Sequence, residues 1–114
     1  MKYIIGLDAG TSNVKAVLFD AKGKEVSVAA RKSLTLNPKS NEVEQDMNQV
    51  WESARSCIRE VLEQSFVDRN EIIGLGITGQ GEGFWVIDQD GNPLQNAILW
   101  CDGRSVREVE ELTK

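Results

Sequence analysis

The order of strand-like and helix-like segments constrains the fold of this chain more than any other feature of its sequence. Two apolar runs, residues 3–7 and 14–19, are separated by turn-forming residues 9–13, and this pattern predicts a hairpin. A second turn at 20–24 leads into residues 26–31, where apolar and more polar side chains alternate as in a strand. We therefore predict that the chain opens with three consecutive antiparallel strands.

A single long amphipathic helix is predicted next. Its apolar residues recur with helical spacing at Val50, Trp51, Ala54, Cys57, Ile58, Val61 and Leu62. Asp46 is placed to cap the first turn, and Gln49 completes a capping-box pattern. We expect this stripe, with Trp51 and Cys57 in it, to pack in the core.

The second half of the chain shows shorter segments. Residues 72–78 read as a buried strand, and residues 84–87 and 97–100 read as two more short strands. A glycine-rich loop at 79–83 and a turn at 88–93 separate them. From residue 105 onwards, apolar residues spaced for a helix predict a final helix.

Charge and composition exclude several classes of function. The chain carries 13 basic and 18 acidic residues, a net charge of −5, which argues against binding nucleic acid or an anionic membrane through bulk positive charge. It has no histidine, which removes Ser-His-Asp and Cys-His catalysis and the commonest zinc ligand. Two cysteines are too few for a disulfide scaffold, so we expect a reducing cytoplasm. No apolar run approaches the roughly 20 residues that a membrane helix needs, so we expect no membrane partner.

The loop after the first strand carries residues suited to phosphate. Asp8, at the end of a strand, offers a carboxylate for Mg²⁺, and Gly10 lets the backbone approach a phosphate closely. The amides and hydroxyls of Thr11 and Ser12 are available to phosphate oxygens, and Lys15 adds a cation. The alternative is an ordinary hairpin turn with a solvated lysine.

Two later segments carry residues suited to a polyhydroxylated ligand. Gln80 and Glu82 alternate with glycines, so an amide and a carboxylate are presented without neighbouring side chains. Trp100, Asp102 and Arg104 follow the last strand and offer a stacking surface with an acid and a base. The alternatives are a flexible loop or β-bulge at 79–83, and a core Trp100 with Asp102 capping the last helix.

Taken in order, these segments resemble the N-terminal domain of the FGGY family of carbohydrate kinases. The resemblance covers nearly the whole chain and rests on four motifs: Asp8-x-Gly10-Thr11-Ser12-x-x-Lys15; Glu44-Gln45-Asp46 before a helix with Trp51; Gly76-Ile77-Thr78-Gly79-Gln80; and Asp90-Gly91-x-Pro93-x-x-Asn96-Ala97-Ile98-Leu99-Trp100-x-Asp102-x-Arg104.

The resemblance implies a ribonuclease H-like, actin-like ATPase fold of the α/β class, whose mixed sheet opens with three antiparallel strands and has helices packed on it. It also implies that residues 1–114 are a partial domain, the N-terminal portion of the kinase's N-terminal domain. The C-terminal domain, with the general base and the adenine-binding segments, is then absent from this chain. The implied reaction transfers the γ-phosphoryl group of ATP, with Mg²⁺, to a hydroxyl of a sugar or polyol.

The resemblance also assigns roles to particular positions. Asp8 is similar to the family's metal-side carboxylate, and the expected ATP phosphate site consists of Gly10, Thr11, Ser12 and Lys15. The expected sugar pocket consists of Gln80, Glu82 and Trp100, with Asp102 and Arg104 supporting it. Its implied partners are the sugar or polyol substrate and the remainder of the kinase, with a homodimer as the candidate assembly.

The loop at Gln80 departs from two branches of the family. Glycerol kinases usually have arginine where this chain has Gly81, and D-xylulose kinases have a Met-His pair after the glutamine that is absent here. The loop is more similar to L-xylulose and erythritol-type kinases, which favours a ketopentose or a short polyol. The competing hypotheses are a binding module without catalysis and, against the charge balance, a ribonuclease H-like nuclease.

Overall fold

The computed structural model describes all of residues 1–114, which divide into two compact units. The first contains residues 1–33 and 49–80, and the second contains residues 34–48 and 81–114. No helix of the structure has the length and apolar character needed to cross a membrane.

The first unit is built on a four-stranded sheet. Its strands are β1 (Tyr3–Ala9), β2 (Asn13–Asp20), β3 (Glu25–Lys32) and β5 (Ile72–Gly79), in the spatial order β3-β2-β1-β5. The first three strands pair antiparallel and β5 pairs parallel to β1. The predicted opening of three antiparallel strands is confirmed.

Helix α1 (Met47–Ser65) covers one face of this sheet, because its apolar stripe meets the inward side chains of β1, β2 and β3. Ala54, Cys57 and Val61 are buried in that core. The Asp46 carboxylate accepts a hydrogen bond from the Asn48 N–H at 2.9 Å, as expected of an N-cap. The predicted helix and its cap are confirmed.

Two burial predictions in this unit are wrong. Trp51 lies on the apolar stripe but is 64% exposed, because the side chains of the helix that pack against the core do not include it. Strand β5 is at the sheet's edge and is largely exposed, although Leu75 and Ile77 align with the buried Ile5 and Leu7 of β1. The helix packs over the first three strands, so the side chains of β5 have no covering layer.

The second unit is less regular. Strands β4 (Glu44–Gln45) and β6 (Ala97–Ile98) pair antiparallel, and α2 (Val106–Leu112) forms the predicted final helix. The prediction of a strand over 84–87 is wrong, because only isolated bridges form, between Phe84 and Ile98 and between Ile87 and Pro93. The strand predicted over 97–100 is limited to the two residues of β6.

Candidate functional site

Strands β1 and β5 bring the first two sequence motifs to the same end of the sheet. They run parallel, and their pairing ends at Ala9 and Gly79. The Gln80 N–H then donates to the Ala9 carbonyl at 3.1 Å. A Cβ at Gly79 would lie 3.1 Å from the same carbonyl oxygen, so a side chain there would crowd this approach. The loop after β1 and the residue after β5 therefore leave the sheet side by side.

A side-chain hydrogen bond joins the two motifs. The Thr11 hydroxyl donates to the Gln80 Oε1 at 3.1 Å in a partly buried position. The loop is also tied to itself and to the end of β3, since the Gly10 N–H donates to the Asn13 carbonyl and the Ser33 N–H to the Ser12 carbonyl. These backbone hydrogen bonds, together with the bond to Gln80, fix the position of Thr11 in the loop.

Asp8 and Lys15 are register partners on β1 and β2, so their side chains lie on the same face of the sheet. This is the face opposite α1, and a groove of about 470 Å³ opens on it. Thr78 also lines the groove, while Gly6 and Gly76 place no side chains on its floor. A carboxylate, an ammonium group and a hydroxyl therefore line one open groove, together with the apolar side chains of Val17 and Phe19.

In the second unit, four of the predicted sugar-pocket residues line one groove of about 400 Å³. They are Glu82, Trp100, Asp102 and Arg104. The backbone of Glu82 has a φ of 60°, a left-handed conformation that a non-glycine residue adopts at a cost. The predicted fifth residue, Gln80, belongs to the first unit.

Asp102 and Arg104 form the centre of a charged network inside the second unit. The Asp102 carboxylate accepts from the Val43 N–H at 2.6 Å and from the Arg104 backbone N–H, Nε and Nη2 at 2.8 to 2.9 Å. Arg104 Nη2 also donates to Glu44 at 2.7 Å, and Asn96 Nδ2 donates to the other oxygen of Glu44 at 3.2 Å. The network ties residues 43–44 to residues 96–104.

This geometry excludes the alternative in which Asp102 caps the last helix, because the N-cap position of α2 is Ser105. The side-chain hydrogen bond from Arg104 holds the pKa of Asp102 well below its usual range, against the opposing effect of burial. The same guanidinium, followed by Asn96, lowers the pKa of Glu44. The site thus contains ionised acids fixed in place by one arginine.

Comparison with known proteins shows to which family the chain belongs. Residues 3–114 match the N-terminal domain of the FGGY family of carbohydrate kinases. The chain belongs to this family.

Curated FGGY relatives include two kinases of different specificity. The chain is 38% identical over 108 residues to the L-xylulose/3-keto-L-gulonate kinase of Escherichia coli. This match covers 95% of this chain and 22% of that protein. It is 35% identical over 113 residues to the glycerol kinase of Rhizobium meliloti, spanning 98% of this chain and 23% of the relative. The chain therefore corresponds to less than a quarter of the length of these relatives.

Solved FGGY structures confirm the predicted fold. The xylulose kinase of Rhodospirillum rubrum superposes on 98% of this chain with a TM-score of 0.89 at 30% identity, and the chain covers 23% of it. The expected actin-like ATPase architecture, present here as a partial domain, is thus borne out.

Sequence reasoning missed three features of the site. It gave no role to Glu44 or Asn96, although both lie in the quoted motifs, because Glu44 is 52 residues from Asn96 and 60 residues from Arg104 in the sequence. It did not predict the Thr11–Gln80 bond or the glycine floor of the groove. The signal available for the floor was a glycine inside each of two predicted strands, Gly6 in β1 and Gly76 in β5, which are register partners in the structure.

The Thr11–Gln80 bond predicts a measurable coupling between the two loops. Thr11→Val should lower the free energy of unfolding by about 1 kcal/mol, because it leaves a partly buried amide oxygen without this donor. Thr11→Ser keeps the hydroxyl and is the matched control. Urea unfolding of Thr11→Val, Gln80→Met and the double variant forms a cycle, and strictly additive effects would contradict the bond's contribution.

Proposed function

We propose that this chain is the N-terminal segment of an ATP-dependent carbohydrate kinase that phosphorylates a hydroxyl of a ketopentose or a short polyol. The observation that supports it most is the shared exit of the loops after β1 and β5, bridged by Thr11 and Gln80. In phosphoryl transfer the donor phosphate and the acceptor hydroxyl must be held next to each other. A fold that fixes the loop after β1 and Gln80 at one end of the sheet is suited to that task.

The first unit would bind the phosphate end of ATP. Asp8 lies beside Lys15, and Gly10, which is partly buried, lies in the loop after β1. Thr11 and Ser12 supply hydroxyls and amides on the same loop. These groups would orient the phosphates and offset their negative charge, which is the main work of a phosphoryl-transfer site.

Magnesium fits the donors of this unit. No group of three or more His, Cys, Asp or Glu side chains is positioned to hold a metal ion by itself. Mg²⁺ in kinases is usually bound through one or two carboxylates together with substrate phosphates and water, and Asp8 is such a carboxylate. When bound, the ion would neutralise charge on the phosphates.

The second unit would contribute to the acceptor pocket. Glu82 offers a carboxylate for sugar hydroxyls, and Trp100, which is more than half exposed, offers an aromatic face. Asp102 and Arg104 use most of their hydrogen bonds on each other and on Glu44, so we assign them to positioning this pocket. The absence of an arginine at Gly81 favours a ketopentose over glycerol.

The proposal extends to the complete enzyme. Its C-terminal portion would supply the general base and the adenine site, and the 114-residue chain alone would be inactive. We place the enzyme in the cytoplasm, because the chain has two free cysteines and no disulfide. A homodimer is the proposed assembly.

A graft tests this function directly. The chain replaces the matched 108-residue segment of the Escherichia coli L-xylulose/3-keto-L-gulonate kinase, with which it shares 38% identity. We expect the graft to phosphorylate a ketopentose in an ATP-dependent assay, while the 114-residue chain and the relative without its N-terminal segment are inactive. Calorimetry with MgADP and a panel of sugars and polyols accompanies the assay. A folded graft that neither turns over nor binds any of these ligands would contradict the proposal.

A further inference from the structure

A second groove, remote in sequence from the kinase motifs, lies on the outer side of α1 in the first unit. It has a volume of about 260 Å³ and is lined by five residues, three of them arginines: Arg55, Ile58, Arg59, Leu62 and Arg69. The first four are on α1, and Arg69 begins the short 3₁₀ helix Arg69–Glu71. Three guanidinium groups therefore share one small groove in a chain whose net charge is −5.

The arginines of this groove have few ion-pair partners within the chain. Arg55 and Arg59 are four residues apart on a helix, a spacing at which like charges repel. Arg59 and Arg69 form no ion pair in the structure, and Arg55 pairs only with the exposed Glu52 at 3.0 Å. An exposed pair of this kind contributes little. Because neither Arg59 nor Arg69 is paired with an acid, their guanidinium donors are available to an anion.

The acids next in sequence are engaged elsewhere. Glu60 pairs with Arg31, and Glu71 pairs with the amino terminus of Met1. The Asp68 carboxylate accepts from the Asn70 N–H at the start of the 3₁₀ helix. Glu63 lies four residues after Arg59 on α1 and also forms no ion pair with it in the structure. None of these acids therefore pairs with Arg59 or Arg69.

The floor of the groove is apolar. Ile58 and Leu62 are partly buried and pack against the hydrophobic core, which fixes their position on α1. Guanidinium groups bind phosphate oxygens in a bidentate manner more readily than other side chains do. A groove of this volume suits a small ligand with a phosphate at one end and a short carbon skeleton against the floor.

We propose that this groove binds the phosphate group of a small phosphate ester. The proposal does not depend on the kinase activity, because none of its residues takes part in the candidate phosphoryl-transfer site. The phosphate group could belong to free inorganic phosphate or to an organic phosphate, and the experiment distinguishes these two ligands.

The test uses the 114-residue chain itself, labelled with ¹⁵N. Inorganic phosphate, a pentose 5-phosphate and a glutamate-rich peptide are titrated separately at constant ionic strength, with sodium chloride as the reference. We expect amide shifts centred on residues 55–62 and 69 and a Kd on the order of 1 mM for the ester, as two or three charge-assisted contacts provide. Tighter binding of the ester than of inorganic phosphate would show that the apolar floor contributes, and equal binding would show that the phosphate group alone is recognised.

Three charge-matched variants decide whether the groove is responsible. Arg59→Gln and Arg69→Gln should each weaken binding about tenfold. Arg107→Gln removes the same charge from an exposed side chain of α2 and should leave binding unchanged. Without ligand, the melting temperature of Arg59→Gln should change little, because Arg59 is exposed and forms no ion pair, so lost binding cannot be ascribed to unfolding.

Three results would overturn the proposal. One is the absence of phosphate-dependent shifts beyond those caused by chloride. Another is an equal loss of binding in Arg107→Gln, which would indicate a general charge effect. The third is tighter binding of the glutamate-rich peptide at the same residues, which would make the groove a docking surface for an acidic protein segment.

Discussion

Replacing Asp8 by asparagine in the active graft should lower the rate of sugar phosphorylation by about 100-fold or more, as loss of a charged group at a phosphoryl-transfer centre does. Asparagine keeps the size of the side chain and removes the charge that would support Mg²⁺. Asp8 is exposed at the end of β1, so its substitution should leave the fold intact. The expected signature is a large fall in kcat with an unchanged melting temperature.

The matched control for this prediction is Asp90→Asn. Asp90 is exposed in the turn at residues 88–92 and has no assigned part in the site. The substitution Asp90→Asn should leave kcat unchanged in a coupled assay of ADP release. A loss in Asp8→Asn smaller than about tenfold would remove Asp8 from the catalytic machinery. A comparable loss in Asp90→Asn would point to a nonspecific effect of charge.

The second large effect is expected from Arg104→Met in the 114-residue chain. The Asp102 side chain is 3% exposed, and Arg104, itself 30% exposed, is its counter-ion. Removing Arg104 leaves the carboxylates of Asp102 and Glu44 without their positively charged partner. This loss should lower the melting temperature by about 10 °C or more at pH 7. Arg107→Met removes an arginine from an exposed i,i+4 pair and should change the melting temperature little.

The dependence on pH separates this mechanism from lost packing. In the folded chain the pKa values of Asp102 and Glu44 lie below their usual range, chiefly through Arg104. A carboxyl whose pKa is lowered on folding stabilises the fold above its unfolded pKa and loses that contribution as pH falls through the folded one. Without Arg104 this contribution is gone and burial favours the protonated acids.

The difference in melting temperature between the wild type and Arg104→Met should therefore be largest at neutral pH and shrink below about pH 4. Thermal unfolding followed by circular dichroism at pH 7, 5 and 3 measures it. A difference that stays constant across this range would assign the effect to the lost aliphatic contacts of the arginine. The role of the charge network would then be wrong.

Elements that depend on local pattern were predicted well. The turn residues at 9–13 and 20–24 separate apolar runs with strand spacing, and they fix the two hairpin connections. The cap at Asp46 and the helical spacing after it fix α1. In each case the physical cause lies within one turn of the residue concerned, so the sequence contains it.

Elements that depend on distant partners were predicted poorly. Residues 84–87 have the composition of a strand, but a strand needs a neighbour, and only single bridges form there. Trp51 fits the apolar stripe of α1, but its burial depends on a partner from another element, and the core cluster does not include it. The exposure of Leu75 and Ile77 follows from the position of β5 at the sheet edge.

The sequence by itself determined the order of the elements, the composition of the phosphate loop and the family to which the chain belongs, because these depend on residues close together or on motifs at fixed spacing. Only the tertiary structure decided which side chains meet. Thr11 meets Gln80 because β5 returns parallel to β1, and Arg104 meets Glu44 because β4 pairs with β6. Contacts across many residues arise from strand pairing over the whole fold, which no local pattern of residues encodes.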